Sequence, residues 1–157
     1  MATVANLTKK QRLDVYNKFD GHCSYCGKKL EYKDMQVDHQ IPQRRAKRGR
    51  NKVSLEVIED PNNWFPSCRR CNLHKRATNL ETYRRYVEEI PQKLLATFIY
   101  KAGLDYKLIK VKPRKIKFYF EMTEEEREAY NRLDAPEPAI EVYPIEECDI
   151  IEAGEFF

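Results

Sequence analysis

Cys-Ser-Tyr-Cys-Gly (23–27), Val-Asp-His-Gln-Ile-Pro (37–42) and Cys-Arg-Arg-Cys-Asn-Leu-His-Lys (68–75) decide the fold of this chain. Two Cys-x-x-Cys pairs bracket an Asp-His dipeptide, and an asparagine directly follows the last cysteine. Four thiolates from two short knuckles, Cys23 and Cys26 with Cys68 and Cys71, can close a tetrahedral structural zinc site. Asp38, His39 and Asn72 are harder donors. They suit an oxygen-preferring metal and proton transfer, not structural zinc. The fifth cysteine, Cys148, lies far from the knuckles and reads as a free thiol.

Outward from these motifs, composition sets the bounds. A chain of 157 residues holds one domain and at most an appendage. No run is apolar for long enough to span a membrane. Met-Ala-Thr-Val-Ala-Asn-Leu at the N-terminus lacks the basic-then-apolar pattern of a signal peptide. The expected compartment is therefore a reducing cytoplasm, where cysteines at this spacing hold metal. The net charge of +4 conceals an asymmetry. The first 120 residues carry 27 basic and 12 acidic side chains; from Glu121 onward there are 2 basic and 13 acidic. A basic body points to a polyanionic partner such as nucleic acid.

The local patterns place the motifs. Thr8 caps a predicted helix over 9–19, with Leu13, Tyr16 and Phe19 as its apolar stripe. Asp20-Gly21 ends it. A short strand is expected over 34–39, a basic loop over 43–52, another extended segment over 53–58, and a turn at 60–63. Residues 64–67 read as a second strand, followed by a short helix carrying Asn72 and Lys75. Thr78 to Glu81 fits a capping box before a helix with Tyr83, Tyr86, Val87 and Ile90 on one side. Pro91 breaks that helix or opens a successor reaching about residue 102, which Gly103 ends. Ile-Lys-Phe-Tyr-Phe (116–120) alternates like a strand. A last helix is expected from Thr123 to about Leu133, and a Pro-rich acidic tail reads as extended or disordered.

These residues resemble the HNH endonuclease family, over roughly residues 10–77. The resemblance implies an α+β fold: a ββα-metal finger stapled by the four-cysteine zinc site, with flanking helices. Together with the charge asymmetry, it divides the chain into an endonuclease domain with flanking helices over 1–120 and an acidic C-terminal segment over 121–157. It implies hydrolysis of DNA phosphodiester bonds, by nicking or double-strand cleavage, without excluding RNA. His39 would be the general base, since an imidazole is neutral and proton-accepting near pH 7. By resemblance, Asp38 and Asn72 hold a catalytic Mg2+ or Mn2+, and Asn63 orients the His39 ring, with Asn62 as the neighbour a shifted alignment would select. Lys75 and Arg76 would contact phosphate beside the cut. The basic loop supplies Arg44, Arg45, Lys47, Arg48 and Arg50 as further phosphate contacts. His22 and His74 read as bystanders.

The chain departs from the common family pattern. A long basic stretch with only Gly49 replaces the usual Ser-x-Gly-Gly after the Asp-His segment, the last motif residue is asparagine, and Arg76 follows the lysine. Free-standing members are frequent in bacteriophages and bacteria, so a bacterial cytoplasm is the implied setting. Two other readings compete. One is a non-catalytic zinc-binding DNA module; the other is a phage accessory protein whose acidic tail docks a protein partner. The tail also has the charge to compete with DNA phosphates for the basic body.

Overall fold

The computed structural model describes residues 7–47, 52–111 and 115–133. Helix α1 (Lys9–Asn17) begins at Thr8, whose side chain accepts from the Gln11 amide while Gln11 Oε1 accepts from the Thr8 amide at 2.9 Å. This capping box satisfies two donors that a helix start leaves open. The helix stops at Asn17, so the expected stripe does not continue to Phe19. Val15 is the buried residue, Leu13 faces solvent, and Phe19 instead stacks on Phe65 beyond the helix.

Strand β1 (Gln36–His39) pairs antiparallel with β2 (Trp64–Ser67), with Asp38 opposite Phe65 and His39 opposite Trp64. Between them lie two short helices, α2 (Arg44–Lys47) and α3 (Leu55–Ile58), and a 3-10 turn at Pro61–Asn63. The extended segment expected over 53–58 is thus helical from Leu55 onward. A β-branched run forms a strand only where a sheet edge receives it. Here Ser54 caps the Val57 amide and only Ile58 is buried. Helix α4 (Arg69–Lys75) leaves β2 directly, with Cys68 as its N-cap. Strand, strand and helix give the expected ββα unit, in a mixed fold with one small antiparallel sheet.

The first knuckle hangs on β2. Ser24 donates its amide and its hydroxyl to the Pro66 carbonyl, each at 2.8 Å. Gly27 closes the knuckle at φ 71°, where a Cβ would also lie 2.6 Å from the Tyr130 ring. Only glycine meets both demands.

Helix α5 (Leu80–Glu88) is capped by Asn79, one residue later than the pattern suggested; the Thr78 hydroxyl instead donates to the Lys75 carbonyl. Tyr83 is buried, whereas Tyr86 and Ile90 remain exposed. Pro91 sits in the first turn of α6 (Ile90–Leu94), and α7 (Phe98–Asp105) follows. Gly103 does not end α7. It lies inside it, buried under Ile109, whose side chain a Cβ would meet at 2.6 Å.

The strand expected over 116–120 is absent. The segment turns into a 3-10 helix at Tyr119–Glu121, and its Tyr119 and Phe120 amides donate to the Tyr25 and Ser24 carbonyls. Phe118 and Phe120 pack edge-on against Tyr25, and Arg84 clamps the turn by pairing with Glu121 at 2.6 Å and donating to the Ile116 carbonyl. Burial of aromatic rings on the knuckle therefore overrides the alternating pattern. Helix α8 (Glu124–Leu133) follows, with its Tyr130 hydroxyl donating to the Cys26 carbonyl at 3.1 Å. Arg48, Arg50, Cys148 and the acidic tail lie outside the described residues.

Candidate active site

The two knuckles bring Cys23, Cys26, Cys68 and Cys71 together, their sulfurs all within 4.8 Å of one another. A tetrahedral zinc with Zn–S bonds of about 2.3 Å needs sulfurs about 3.8 Å apart. Cys26 and Cys68 stand at 3.9 Å. Backbone amides also face the sulfurs: Cys68 N–H donates to Cys23 Sγ at 3.3 Å, and Cys71 N–H to Cys68 Sγ at 3.4 Å. Hydrogen bonds from the neighbouring thiols bring the Cys68 thiol far below the ordinary range; a bond with Cys26 first of all brings Cys23 to about 7. Cys26 and Cys71 are pushed up, chiefly by their bonds to Cys23. Four thiols crowded in this way are the arrangement that a dication would hold as thiolates. The cluster is thus a compatible zinc site.

Asp38 sits on the β1 face turned toward α4. It is 6% exposed, and its Oδ2 accepts from the Tyr25 hydroxyl and pairs with Lys75 Nζ at 2.8 Å. Lys75 is fully buried and also donates to the His39 carbonyl at 2.9 Å. The expected phosphate contact is therefore not open to Lys75, whose ammonium is spent on Asp38 and the His39 carbonyl inside the protein. Burial, then the Asp38 charge, pushes the Tyr25 phenol far up, so it stays a donor. One turn before Lys75, Asn72 Nδ2 donates to Gln36 Oε1 at 2.8 Å. Gln36 and Asp38 are two residues apart on β1 and share a face. Asn72 and Gln36 are thus joined to each other, while Asp38 Oδ2 is held by Tyr25 and Lys75. Their carboxylate and amide oxygens are of the kind that Mg2+ or Mn2+ takes, and Gln36 is an addition that the motif did not suggest.

His39 alternates to the other face. Its Nε2 lies 3.2 Å from Gln43 Nε2 and 3.7 Å from Glu59 Oε2, with the Trp64 ring edge-on. Burial lowers its pKa below the usual imidazole value, while Glu59 and Asp38 pull the other way without prevailing. Burial thus favours the neutral ring, the form that accepts a proton.

Asn63 does not reach that ring. Its Oδ1 accepts from the Ile41 amide at 2.7 Å, and its Nδ2 donates to the Ile41 and Ile58 carbonyls. The expected bond to His39 is replaced by a clamp on the backbone leaving β1, which the Gln40 amide completes by donating to the Asn63 carbonyl. Asn62 is exposed and serves the Asp60 turn. Glu59 and Gln43 were missed from sequence, although Glu59 immediately precedes the turn signal and Gln43 stands four residues after His39.

His39, Gln43 and Glu59 open onto a groove of about 1680 Å³. Arg12, Lys28, Lys29, Lys33, Arg69 and Arg70 also line it. Glu31, Asp34 and Glu59 are its acids, so the lining is net basic. Among the described residues none of these six cations is in an ion pair. The expected contacts Arg44 and Arg45 lie on α2 and Arg76 on the exposed end of α4, none of them lining the groove. Lys47 belongs to α2 as well. His74 lines the groove and stacks on Tyr86; His22 stacks on Tyr119.

Comparison with known protein families falls on the same segment. Residues 23–78 match the HNH endonuclease family. None of the curated proteins compared with the chain matches it. Among solved structures, the chain is similar to the Type II-C Cas9 enzyme from Actinomyces naeslundii, at 27% identity and a TM-score of 0.38. That similarity covers 52% of this chain and only 9% of the other.

Proposed function

We propose that this protein is a metal-dependent endonuclease that hydrolyses DNA phosphodiester bonds, with His39 as the general base. The observation that carries the reading is the partly buried His39 imidazole opening onto a net-basic groove, within the segment that matches the HNH family. The groove cations attract the phosphate backbone and position it. His39 takes a proton from a water molecule, whose oxygen bonds to phosphorus as the bond to O3′ breaks. The O3′ leaving group takes a proton from solvent, leaving a 5′-phosphate and a 3′-hydroxyl. Gln43 and Glu59 hold the imidazole at the groove wall, and the Asn63 clamp fixes the backbone on which it rides. Asp38 and Asn72, with Gln36 beside them, would hold the hard divalent cation. When bound, that ion stabilises charge on the phosphorus and the departing oxygen.

The test is single-turnover cleavage of labelled linear, nicked, branched and single-stranded DNA, and of RNA, with Mg2+, with Mn2+ and with chelator. His39→Ala should cut about 10²–10⁴-fold more slowly while binding DNA as wild type does. Equal rates for the two proteins would reject the assigned base. Tight DNA binding without cleavage under any metal would instead favour a non-catalytic zinc module, in which the Lys75–Asp38 pair permanently occupies the metal-binding carboxylate.

A further inference from the structure

Helices α6 and α7 and the segment after them present an apolar surface that no described element covers. Phe98 and Ile99 are 83% and 82% exposed, Leu108 81% and Tyr106 79%. Ile109 folds back over Gly103, with its amide donating to the Gly103 carbonyl at 3.0 Å, so residues 106–111 lie along α7. Leu94 and Leu95, at the end of α6 just before α7, are 40% and 37% exposed. Apolar side chains gathered in this way mark an interaction surface.

The charge around them selects the occupant. Between Pro91 and Lys117 there are eight basic residues and one acid, Asp105. Lys101, Lys107, Lys110 and Lys115 have no carboxylate within 4.0 Å among the described residues. A second copy of this face would set like charge against like. Nucleic acid would neutralise the lysines but leave Phe98 and Ile99 without an apolar partner. Residues 134–157 meet both demands. They hold eight acids and no lysine or arginine, interleaved with Ile140, Val142, Ile145, Ile150, Ile151 and Phe157. They start directly after α8 ends at Leu133, and 24 residues reach as far as about 80 Å when extended. Tethering supplies an effective concentration on the order of millimolar.

We infer that residues 134–157 dock within the same chain on the apolar, lysine-rimmed surface of residues 94–111, leaving the groove at His39 free. The inference does not depend on the nuclease reading. Its test is zero-length carboxyl-to-amine cross-linking of the full chain, mapped by mass spectrometry in an equal mixture of ¹⁴N- and ¹⁵N-labelled protein. The expected links join Glu141, Glu146, Glu147 or Asp149 to Lys101, Lys107 or Lys110, within single chains. Their yield should fall at least about tenfold in Phe98→Asp/Ile99→Asp, as losing two buried apolar side chains implies. Ile150→Asp/Ile151→Asp should do the same from the tail side, without touching the folded domain, and zinc content should be unchanged in both. Three outcomes each overturn the inference. No links form at these lysines; links form instead to Lys28, Lys29 or Lys33 in the groove; or the links join ¹⁴N to ¹⁵N chains, which makes the face a contact between copies.

Discussion

Lys75 Nζ and Asp38 Oδ2 form an ion pair 2.8 Å long, with side-chain exposures of 0% and 8%. The pair couples α4 to β1 beneath the candidate active site. Removing one partner strands a buried charge, at a typical cost of about 3–5 kcal/mol. Lys75→Met should therefore destabilise the zinc-loaded protein by that order, measured by urea unfolding. The double variant with Asp38→Asn should cost clearly less than the sum of the single changes, because the second change removes the charge left unpaired. Additive costs would mean that the two groups do not interact.

The ring of His39 should titrate below the ordinary imidazole value of about 6.5 in zinc-loaded protein without magnesium, followed by its NMR signal. The sign follows from burial, which favours the neutral form. Because the folded pKa lies under the unfolded one, this group contributes stability above pH of about 6.5 and loses it as pH falls through the folded value. Glu59 raises the His39 pKa, so Glu59→Gln should move the midpoint further down. An upward move would mean that Glu59 is not the partner that the 3.7 Å distance indicates.

Asn63→Ala removes the acceptor for the Ile41 amide and the donor to the Ile41 and Ile58 carbonyls. Leaving such groups unpaired in a buried place costs about 1–3 kcal/mol. Asn63→Asp keeps the acceptor but sets a buried carboxylate against the Ile41 and Ile58 carbonyls, so near neutral pH it should be at least as destabilising as alanine in chemical denaturation. In the alanine variant the His39 resonance should titrate close to its wild-type midpoint, since Asn63 touches backbone and not the ring. A large shift would restore the direct orienting role.

The motif residues were legible because metal and backbone chemistry fixes their spacing. Four cysteines in two knuckles, flanking strands 36–39 and 64–67, describe the ββα unit almost by themselves. What was illegible depended on partners distant in sequence. The run 116–120 alternates like a strand, yet its rings find Tyr25 and its turn finds Arg84, more than thirty residues away. Residues 53–58 carry strand-forming side chains, but no sheet edge receives them. Lys75 looked like a phosphate contact because lysines are usually exposed. Nothing local in the sequence says that Asp38 and Tyr25 enclose it.

Zinc should be present at one ion per chain and be coupled to folding. Cys71→Ser removes one of four thiolates and should abolish tight zinc binding together with the cooperative unfolding transition. Elemental analysis and circular dichroism before and after chelation provide the check. A chain that stays folded and zinc-free in chelator would leave the four sulfurs as an ordinary buried cluster.

The groove and the basic loop make competing claims on the substrate, and salt dependence separates them. Each phosphate neutralised by a side chain contributes about 0.9 to the slope of log K against log salt on duplex DNA. Lys28, Lys29, Lys33, Arg69 and Arg70 are exposed, unpaired and line the same groove as His39. Replacing all five by Gln should lower the slope by as much as about 4.5 and weaken binding similarly for all sequences. Arg44→Gln/Arg45→Gln, on α2 outside the groove lining, should lower it by about 2 at most. His39→Ala should leave the slope unchanged, since a neutral ring releases no counterion. If the α2 variant flattens the slope and the groove variant does not, the phosphate track runs over the basic loop, and the groove at His39 needs another occupant.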